Sequence, residues 1–381
     1  MVGAAQRATD VFVIGGGPAG LAAALAARAR GLSVTLADGA RPPIDKACGE
    51  GVMPQGVAAL QRLGVSIDPE TSQPFQGIRF IENGVSADAR FAGAHGIGIR
   101  RVSLHQSMAQ AAAEQGVTLR WGSHVDAISE HGVSVDGQTI ACRWIIGADG
   151  RMSRTRDQMR INSPARATRR VGFRQHYQVR PWSDVVEVYW HPLGQAYVTP
   201  VGPEEVCIAI TGTRSTLRIE ELPRVFPALA KRLLGASATT SVRGSVSASV
   251  RLRAVTKGRV ALVGDASGSV DSITGDGLSL ALRQSLALAE AMVRNDLALY
   301  ERAHAKILLM PLVMARVLVM VGERRWLRDR VLAALAARPQ IFARLLAVHA
   351  GELSPRAVGL DTLASLGWNI LAPRALARRA S

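Results

Sequence analysis

The sequence is poor in cysteine, in aromatic residues and in long apolar runs, and each shortage excludes a class of protein. Its three cysteines, Cys48, Cys142 and Cys207, are odd in number and far apart, so neither a disulfide framework nor a metal site is expected and a reducing cytoplasm fits best. No uninterrupted apolar run reaches the roughly 20 residues that span a bilayer. The N-terminus leads directly into a strand-like segment at residues 10–14, so we expect no secretory signal.

Arginine, by contrast, is abundant. Lysine and arginine total 46 against 30 acidic residues, which gives a net charge of +16, and only four of these cations are lysines. Such a charge favours anionic partners. The arginines are spread along the chain, and we therefore expect no nucleic-acid role. At 381 residues, of which 48% are hydrophobic, the chain is long enough to bury the core of one large domain or of two closely joined domains.

The opening segment predicts a phosphate-binding turn between a strand and a helix. Residues 10–14 form an apolar run, Gly15-Gly-Gly-Pro-Ala-Gly20 follows at once, and an Ala- and Leu-rich helix leads to a second strand ending at Asp38. Here Gly15 permits the tight turn, Gly17 lets the backbone approach a pyrophosphate, and Gly20 lets helix and strand pack closely. Asp38 can accept hydrogen bonds from a ribose hydroxyl. The segment therefore predicts a dinucleotide site at a helix N-terminus.

Three later segments identify a family. Residues 144–150 read Trp-Ile-Ile-Gly-Ala-Asp-Gly, and residues 259–266 read Arg-Val-Ala-Leu-Val-Gly-Asp-Ala ahead of Gly275-Asp-Gly277. Residues 98–101, Gly-Ile-Arg-Arg, precede an amphipathic helix. Over about residues 10–295 the chain resembles the FAD-dependent oxidoreductases of the flavoprotein monooxygenase superfamily, which includes group A hydroxylases, geranylgeranyl-reductase-like enzymes and flavin halogenases. The resemblance implies FAD as cofactor and NAD(P)H as the electron donor.

The resemblance also implies contacts to FAD. Arg101 or Arg100 would contact the FAD phosphates, Asp265 the ribityl hydroxyls, and the glycines of residues 275–277 the edge of the flavin ring. Asp149 would serve the dinucleotide and the nicotinamide, with turn capping as the alternative role. The expected cofactor-binding residues are Gly15, Gly17, Pro18, Ala19, Gly20, Asp38, Cys48, Gly49, Arg100, Arg101, Asp149, Gly264, Asp265, Gly275, Asp276 and Gly277.

The segment from Lys46 to Pro54 narrows the resemblance. It is similar to the strap that crosses the flavin in geranylgeranyl-reductase-like enzymes and in flavin halogenases, and a strap here would place Cys48 and Glu50 near the reactive face. These two are therefore the candidate catalytic residues; the alternative is a small packed cysteine and a carboxylate at a helix start. The late motif has Gly268 where aromatic hydroxylases have a histidine, which is closer to the reductase branch.

The predicted fold class is α/β. We expect a Rossmann-type, GR2-like FAD-binding domain (residues 1–170 and 254–300), an inserted antiparallel β-sheet substrate domain (171–253) and a C-terminal helical region (301–381). Residues 219–234 predict one helix that covers the inserted sheet. One face of the strand at residues 185–191 should cover the flavin, although the alternation does not say which face. The candidate substrate-lining residues are His176, Tyr189, Trp190, His191 and Tyr197, each with plain sheet packing or solvent exposure as the alternative.

The tail predicts apolar helices followed by Arg324, Arg325, Arg328 and Arg330. These helices could lie on the inner face of an anionic membrane, as a peripheral contact of a cytoplasmic protein, or pack over the cavity as a lipophilic wall. We favour packing because apolar residues occupy more than one face of each helix. Both arrangements suit a lipophilic small-molecule substrate.

Four functions follow, in descending order. The first is an NAD(P)H-dependent monooxygenase that acts on a lipophilic polyketide, isoprenoid or acyl-aromatic compound. The second is a geranylgeranyl-reductase-like C=C reductase. A flavin halogenase ranks third because a Trp-x-Trp-x-Ile-Pro segment is absent. A flavin-binding module without turnover, which docks through its arginines, ranks last. The oligomeric state stays open.

Overall fold

Two large β-sheets form the frame of the protein in a computed structural model, which describes residues 9–129, 132–161, 169–213, 217–354 and 359. The strands are β1 (Thr9–Ile14), β2 (Val34–Asp38), β3 (Gly51–Val52), β4 (Ser72–Phe75), β5 (Gly77–Glu82), β6 (Val85–Arg90), β7 (Gly96–Ile99), β8 (Thr118–Trp121), β9 (Val125–Ile128), β10 (Val133–Val135), β11 (Gln138–Ile140), β12 (Cys142–Gly147), β13 (Arg169–Gln178), β14 (Val186–His191), β15 (Gly194–Gly202), β16 (Glu205–Gly212), β17 (Ser237–Ala238), β18 (Arg243–Ala248), β19 (Val250–Arg251), β20 (Thr256–Lys257), β21 (Val260–Leu262) and β22 (Gly268–Ser269). The α-helices are α1 (Pro18–Arg28), α2 (Pro54–Arg62), α3 (Arg101–Glu114), α4 (Arg154–Gln158), α5 (Leu222–Val225), α6 (Pro227–Arg232), α7 (Gly277–Val293), α8 (Leu297–Glu323), α9 (Arg325–Ala337) and α10 (Pro339–His349).

The first sheet is the predicted Rossmann-type sheet. Its strand order is β20-β21-β12-β1-β2-β8, and all neighbours pair in parallel except β20 with β21. The central strand β1 is buried on both faces, which explains its continuous apolar run. Because Ile14 at the end of β1 pairs with Gly147 at the end of β12, the turns that follow these strands lie side by side.

The second sheet contains four long strands, β13 to β16, from the region in which an antiparallel sheet is predicted. Its order is β17-β13-β16-β15-β14-β5-β6, and β18 also pairs with β13. Strands β13 to β16 pair in antiparallel fashion, whereas β14 pairs in parallel with β5. Residues 77–90 therefore belong to this sheet although they precede the predicted insertion in the chain. The domain boundaries given above remain a prediction.

The single helix predicted over residues 219–234 is wrong. A 3-10 turn at Ile219–Glu221 is followed by the short helices α5 and α6, and Phe226 between them leaves the helical region, with φ −127° and ψ 62°. The break has a local cause, since Pro227 restricts the backbone of the residue before it and donates no N–H.

The C-terminal helices cover the second sheet. Helix α8 runs for 27 residues and continues through Pro311. It is the one described helix that is long and apolar enough to cross a membrane by length and composition. The next two helices along the chain, α9 and α10, meet at an angle of 104°. Inward-facing side chains such as Leu332 and Phe342 form one apolar cluster with Val188 and Trp190 of β14.

Arg328 is not part of the surface basic cluster expected in the tail. Its side chain is buried, and its Nε donates to both carboxylate oxygens of Glu82, at 2.8 and 2.7 Å. Its Nη1 also donates to the carbonyl of Gly322 at 2.7 Å. Arg328 therefore ties α9 to β5 and to the end of α8, while Arg324 and Arg325 are exposed.

His304 anchors α8 to the core. Its side chain is buried, and its Nε2 lies 2.9 Å from the hydroxyl of Ser267 in the turn after β21. Burial penalises the charged imidazolium and lowers the pKa of His304 to about 4. The folded protein therefore holds this histidine neutral at every pH above about 4.

We expect His304 to make the protein less stable as the pH falls. Between pH 6.5 and about 4 the unfolded chain binds a proton that the folded chain rejects, which costs about 1.4 kcal/mol per pH unit. Urea unfolding at pH 7.5 and 5.0 should show a drop about 2 kcal/mol smaller in His304→Gln than in the parent protein. His95→Gln, at an exposed histidine, is the matched control and should keep the parent's drop. An equal drop in His304→Gln would contradict the assignment.

Candidate active site

A cavity of about 870 Å³ connects the first sheet to the C-terminal helices. One end is lined by the turns that follow β1, β2 and β12, and the other by the inner faces of β5, β14 and β15 and by α8 to α10. Most of the expected cofactor-binding residues line it: Gly15, Gly17, Pro18, Ala19, Asp38, Cys48, Gly49, Arg101, Asp149, Gly264, Asp265, Gly275, Asp276 and Gly277. Gly20 and Arg100 lie outside this lining.

Of the glycines after β1, Gly20 is required for close packing, whereas Gly17 is open to the cavity. A Cβ on Gly20 would lie 1.8 Å from the carbonyl oxygen of Gly15, so the start of α1 can approach the turn only if residue 20 is glycine. A Cβ on Gly17 would meet nothing within 4 Å, because Gly17 faces the cavity. Helix α1 has no side-chain cap and no acidic residue in its first turn. Its first N–H groups are therefore available to an anion such as a pyrophosphate.

Asp38 lies at the end of β2, beside that turn. Its Oδ2 accepts the N–H of Gly16 at 2.6 Å, and its Oδ1 accepts the N–H of Ala40 at 2.7 Å. These two bonds fix the orientation of the carboxylate, and each oxygen keeps acceptor capacity for a ribose hydroxyl.

Of the two neighbouring arginines, Arg101 faces the cavity and Arg100 does not. The Nε of Arg101 is buried without a hydrogen-bond partner among the described residues. The Nε of Arg100 lies 2.9 Å from Glu205 Oε2, and its Nη2 donates to the Thr239 hydroxyl at 3.3 Å. Arg101 lines the cavity, whereas Arg100 is paired with Glu205, so Arg101 is the better placed of the two for a phosphate.

The late Gly-Asp motifs line the same cavity as Arg101. A Cβ on Gly275 or Gly277 would meet nothing within 4 Å, and α7 starts there without a side-chain cap or an acidic residue in its first turn. Free N–H groups thus face the cavity where a flavin ring edge would lie. Asp265 pairs with Lys46 at 3.0 Å, and both side chains are partly exposed. Burial raises the pKa of Asp276.

Asp149 lines the cavity but is already occupied by its own turn. Its Oδ1 accepts the Ser153 hydroxyl at 2.5 Å, and its Oδ2 accepts both the N–H of Thr155 at 2.9 Å and the Thr155 hydroxyl at 3.0 Å. This geometry favours the capping role at the start of α4. A direct role toward the dinucleotide stays a prediction.

The strap crosses the cavity, and the carboxylate of Glu50 fastens it. Glu50 is 1% exposed; its Oε1 accepts the N–H of Arg101 at 3.0 Å, and its Oε2 lies 2.5 Å from Nε2 of His176. Arg174 Nη1 lies 3.2 Å from Nδ1 of His176. Because a guanidinium only donates, this Nδ1 accepts and the Nε2–H donates to Glu50. The contacts favour a positioning role for Glu50; a catalytic role for Cys48 or Glu50 stays a prediction.

Among the described residues, Glu50, His176 and Cys207 form a buried group whose potential metal-ligand atoms lie within 4.8 Å of one another. No motif in the sequence indicates this group, because its members come from the strap, β13 and β16. Burial raises the pKa of the Cys207 thiol well above its ordinary value. Arg174 Nε lies 3.6 Å from the Glu50 carboxylate, so a guanidinium already supplies positive charge there.

Of the five candidate substrate-lining residues, two line the cavity. These are Trp190 and Tyr197. Val186 and Val188 also line the cavity, so β14 turns the face that carries Val186, Val188 and Trp190 toward it. Tyr189 lies on the opposite face, where its hydroxyl donates to Glu187 at 2.8 Å, and His191 packs against Phe226. The imidazole of His176 contacts the Glu50 carboxylate and does not line the cavity.

Other lining residues were missed from the sequence. Phe80 of β5 packs against Phe342 of α10 and Trp190, with ring centroids 4.7 and 5.4 Å apart, and these rings form the apolar end of the cavity. Thr211 and Ser272 have hydroxyl oxygens 3.3 Å apart and belong to a more polar end. For Phe80, the available sequence signal was the strand-like pattern of residues 77–82. No sequence signal indicated the hydroxyls of Thr211 and Ser272, because these residues come from a separate strand and turn.

The polar end of the cavity contains buried charge. Asp271 lines it, and Asp271 Oδ1 lies 3.4 Å from Nε of Arg170, both side chains being nearly fully buried. Burial raises the pKa of Asp271. The Ser247 and Ser272 hydroxyl oxygens lie 2.8 Å apart beside it. This end can accept and donate hydrogen bonds, whereas the helical end is lined mainly by apolar side chains.

The residues at the glycine end fit FAD. Three features match a pyrophosphate flanked by a ribose: an open glycine turn at an uncapped helix, an oriented carboxylate at the end of β2, and an arginine on the cavity wall whose Nε has no hydrogen-bond partner among the described residues. The glycines at the start of α7 are open to the cavity that the strap also lines, so a planar ring could approach them closely.

Comparisons with known proteins agree with this geometry. A family model described as "FAD binding domain" matches residues 8–308. The chain is 28% identical over 323 residues to a menaquinone reductase of Mycobacterium tuberculosis, covering 76% of this chain and 78% of that protein. It is 29% identical over 328 residues to the ubiquinone hydroxylase UbiL of Rhodospirillum rubrum, covering 77% and 74%.

Among solved structures, a flavoprotein/dehydrogenase of Cytophaga hutchinsonii superposes with a TM-score of 0.80 at 20% identity, covering 91% of this chain and 94% of that one. At this identity the likeness is one of fold. The predicted FAD-binding fold class is thereby confirmed, as is the resemblance to FAD-dependent flavoproteins.

We expect the two neighbouring arginines to differ in their effect on FAD. Arg101→Ala should weaken FAD binding at least tenfold, since a charge-assisted hydrogen bond contributes about 1.5–3 kcal/mol. Arg100→Ala, the matched control, removes an ion pair with Glu205 outside the cavity and should change the dissociation constant less than threefold. Titrating the apoproteins with FAD and following flavin fluorescence measures both. Equal losses would contradict the placement of Arg101.

Proposed function

The chain belongs to the FAD binding domain family, and we propose that it is an NAD(P)H-dependent monooxygenase that hydroxylates the ring of a lipophilic quinone-like compound with a long apolar tail. The observation that carries this proposal is the single cavity, which joins the glycine-lined end to an end walled by aromatic and aliphatic side chains. A ring with oxygen substituents fits the polar part, and an apolar chain fits the helical part.

The polar part of the cavity supplies the contacts for the ring. Ser247, Ser272 and Thr211 present hydroxyl groups, and Asp271 presents a carboxyl group, close to the glycines at residues 275–277. Hydroxyls donate to a carbonyl or accept from a phenol, so they orient either redox form of a quinone ring. The ring would therefore lie next to the position of the flavin.

The apolar part of the cavity would hold the tail. Phe80, Trp190 and Phe342 form its aromatic wall, and Leu332 and Leu335 of α9 complete it. Burying an apolar chain here yields about 25 cal/mol per Å² of surface removed from water. The tail thus supplies affinity, while the hydroxyls fix orientation.

The chain's own residues orient and protect the reaction. When bound, the flavin accepts electrons from a nicotinamide donor and passes them to O₂ or to the substrate. The strap, fastened by Glu50, and the helical wall would shield the reacting groups inside the cavity from water. The free N–H groups at the start of α7 favour negative charge at the ring edge beside them.

The relatives support a quinone-like substrate. One is named a menaquinone reductase and the other a ubiquinone hydroxylase, so both names specify a quinone with an apolar tail. Their names differ in the reaction, one being a reduction and the other a hydroxylation.

Reduction of a C=C bond is the second candidate function. Cys48 on the strap lines the cavity, and the menaquinone reductase covers most of this chain. In this alternative Cys48 or another residue of the strap would supply the proton for saturation of the alkene, and FAD, when bound, would supply the hydride. The apolar tail, rather than the ring, would then face the flavin.

Isotope labelling separates the two reactions. The FAD-loaded protein is incubated with NAD(P)H and a prenylated naphthoquinone, once under ¹⁸O₂ and once without oxygen. Hydroxylation predicts a product that contains one ¹⁸O atom under ¹⁸O₂ and no product without oxygen. A product two hydrogens heavier without oxygen, which keeps both hydrogens after air has reoxidised any hydroquinone to the quinone, would establish the reductase instead. Turnover of neither kind would contradict both.

Filling the cavity tests the place of the tail. Val188→Trp should raise KM for the prenylated naphthoquinone at least tenfold, because Val188 faces the cavity, while NAD(P)H-dependent reduction of ferricyanide stays unchanged. Tyr189→Phe, on the opposite face of β14, is the matched control and should leave KM unchanged. An unchanged KM in Val188→Trp would place the substrate elsewhere.

A further inference from the structure

Helix α8 presents an apolar stripe to the outside of the protein. Leu309, Val313, Val317 and Met320 are 64%, 44%, 42% and 40% exposed, and Trp326 at the start of α9 is 55% exposed. Their spacing of three and four residues places the first four on one face of the helix. We call these five residues the α8 face. Single exposed apolar residues are ordinary, but a contiguous stripe on a soluble surface marks an interaction site.

The opposite side of α8 is fixed in the protein. Tyr300, His304 and Leu308 are buried, and the hydroxyl of Tyr300 donates to the carbonyl of Leu262 at 2.7 Å. In the most apolar 18-residue window of the helix, only 22% of the residues are buried, which is unlike a core helix. A helix held on one side cannot be surrounded by lipid, so α8 is suited to lie in an interface rather than to span it.

Positive charge surrounds the stripe. Exposed cations lie at both ends and in the middle of the exposed side of α8 and at the start of α9: Arg302, Lys306, Arg316, Arg324 and Arg325. Between residues 302 and 326 the one acidic residue is Glu323. An apolar stripe bordered by cations matches an anionic lipid surface, where each basic residue contributes about 1 kcal/mol.

The cavity reaches the surface at the same place. Val317 and Met320 are exposed and also line the cavity, and Met314 and Leu318 line it from the same helix. A molecule that leaves the acyl region of a bilayer at the α8 face would enter the cavity without crossing bulk water. The stripe, the cations and the opening therefore coincide on one side of the molecule.

We propose that the α8 face docks the protein on the surface of an anionic lipid bilayer, with the cavity opening against the acyl region. This inference goes beyond the proposed function, since docking is independent of which reaction the flavin performs. The apolar stripe inserts, and the bordering arginines and Lys306 contact the lipid headgroups.

Vesicle binding of the FAD-loaded full chain tests the proposal without any substrate. The parent protein should sediment with vesicles of phosphatidylglycerol and phosphatidylcholine, and much less with phosphatidylcholine alone. The double variant Leu309→Glu/Val313→Glu should bind the anionic vesicles at least tenfold more weakly. Neither residue lines the cavity, so FAD content and the unfolding midpoint should match the parent. Leu234→Glu, at a residue 78% exposed outside α8, is the matched control and should bind as the parent does.

A spectroscopic readout reports insertion directly. Lipids with brominated acyl chains should quench part of the tryptophan fluorescence of the parent protein, and Trp326→Phe should lose that quenching. No binding to anionic vesicles, or equal binding by the double variant, would overturn the proposal. Self-association of the parent in solution that the double variant abolishes, without vesicle binding, would instead assign the α8 face to a second copy of the chain.

Discussion

The buried carboxylate of Glu50 joins three parts of the protein, and the shape of the cavity depends on that junction. It accepts the N–H at the start of α3, lies against His176 of the second sheet, and belongs to the strap between β2 and α2. Its backbone adopts the left-handed region, with φ +59°, which costs free energy in a residue other than glycine. The surrounding contacts offset that cost only while the carboxylate keeps its partners.

Asp45 makes a second attachment of the same kind. It lies 2.6 Å from Nη2 of Arg174 and 2.6 Å from Nε of Arg243, so the residue that precedes the strap is fixed to both β13 and β18. The strap is thus held against the second sheet and against the start of α3, and it lines the cavity. A change at this junction should alter cofactor retention and substrate access together, because the same segment borders both parts of the cavity.

The dinucleotide half of the site could be predicted because its signals are local. Gly17, Asp38 and the glycines before α7 each follow a strand or precede a helix, and short motifs specify such turns. The choice between Arg100 and Arg101 could not be made, since it depends on where α3 begins and which way the first turn faces. The wall made by Phe80 and Trp190 requires β5 to pair with β14 across about a hundred residues, which no local pattern encodes.

The tail shows the same division between local and long-range information. Its helical character follows from composition, but the buried position of Arg328 requires the distant partner Glu82. In the sequence alone, nothing distinguishes Arg328 from the exposed Arg324 and Arg325 near it. The fold of the chain is therefore well specified by its turns, while the substrate end of the cavity is specified by contacts between distant segments.

The release of FAD from Glu50→Gln tests the central claim most directly. The amide cannot replace the carboxylate toward Arg101, Arg174 and His176 together, so FAD should dissociate at least tenfold faster than from the parent while the unfolding transition stays cooperative. Glu205→Gln, which changes the carboxylate paired with Arg100, is the matched control and should retain the parent's rate. An unchanged rate in Glu50→Gln would show that the strap does not depend on Glu50 to close the cavity.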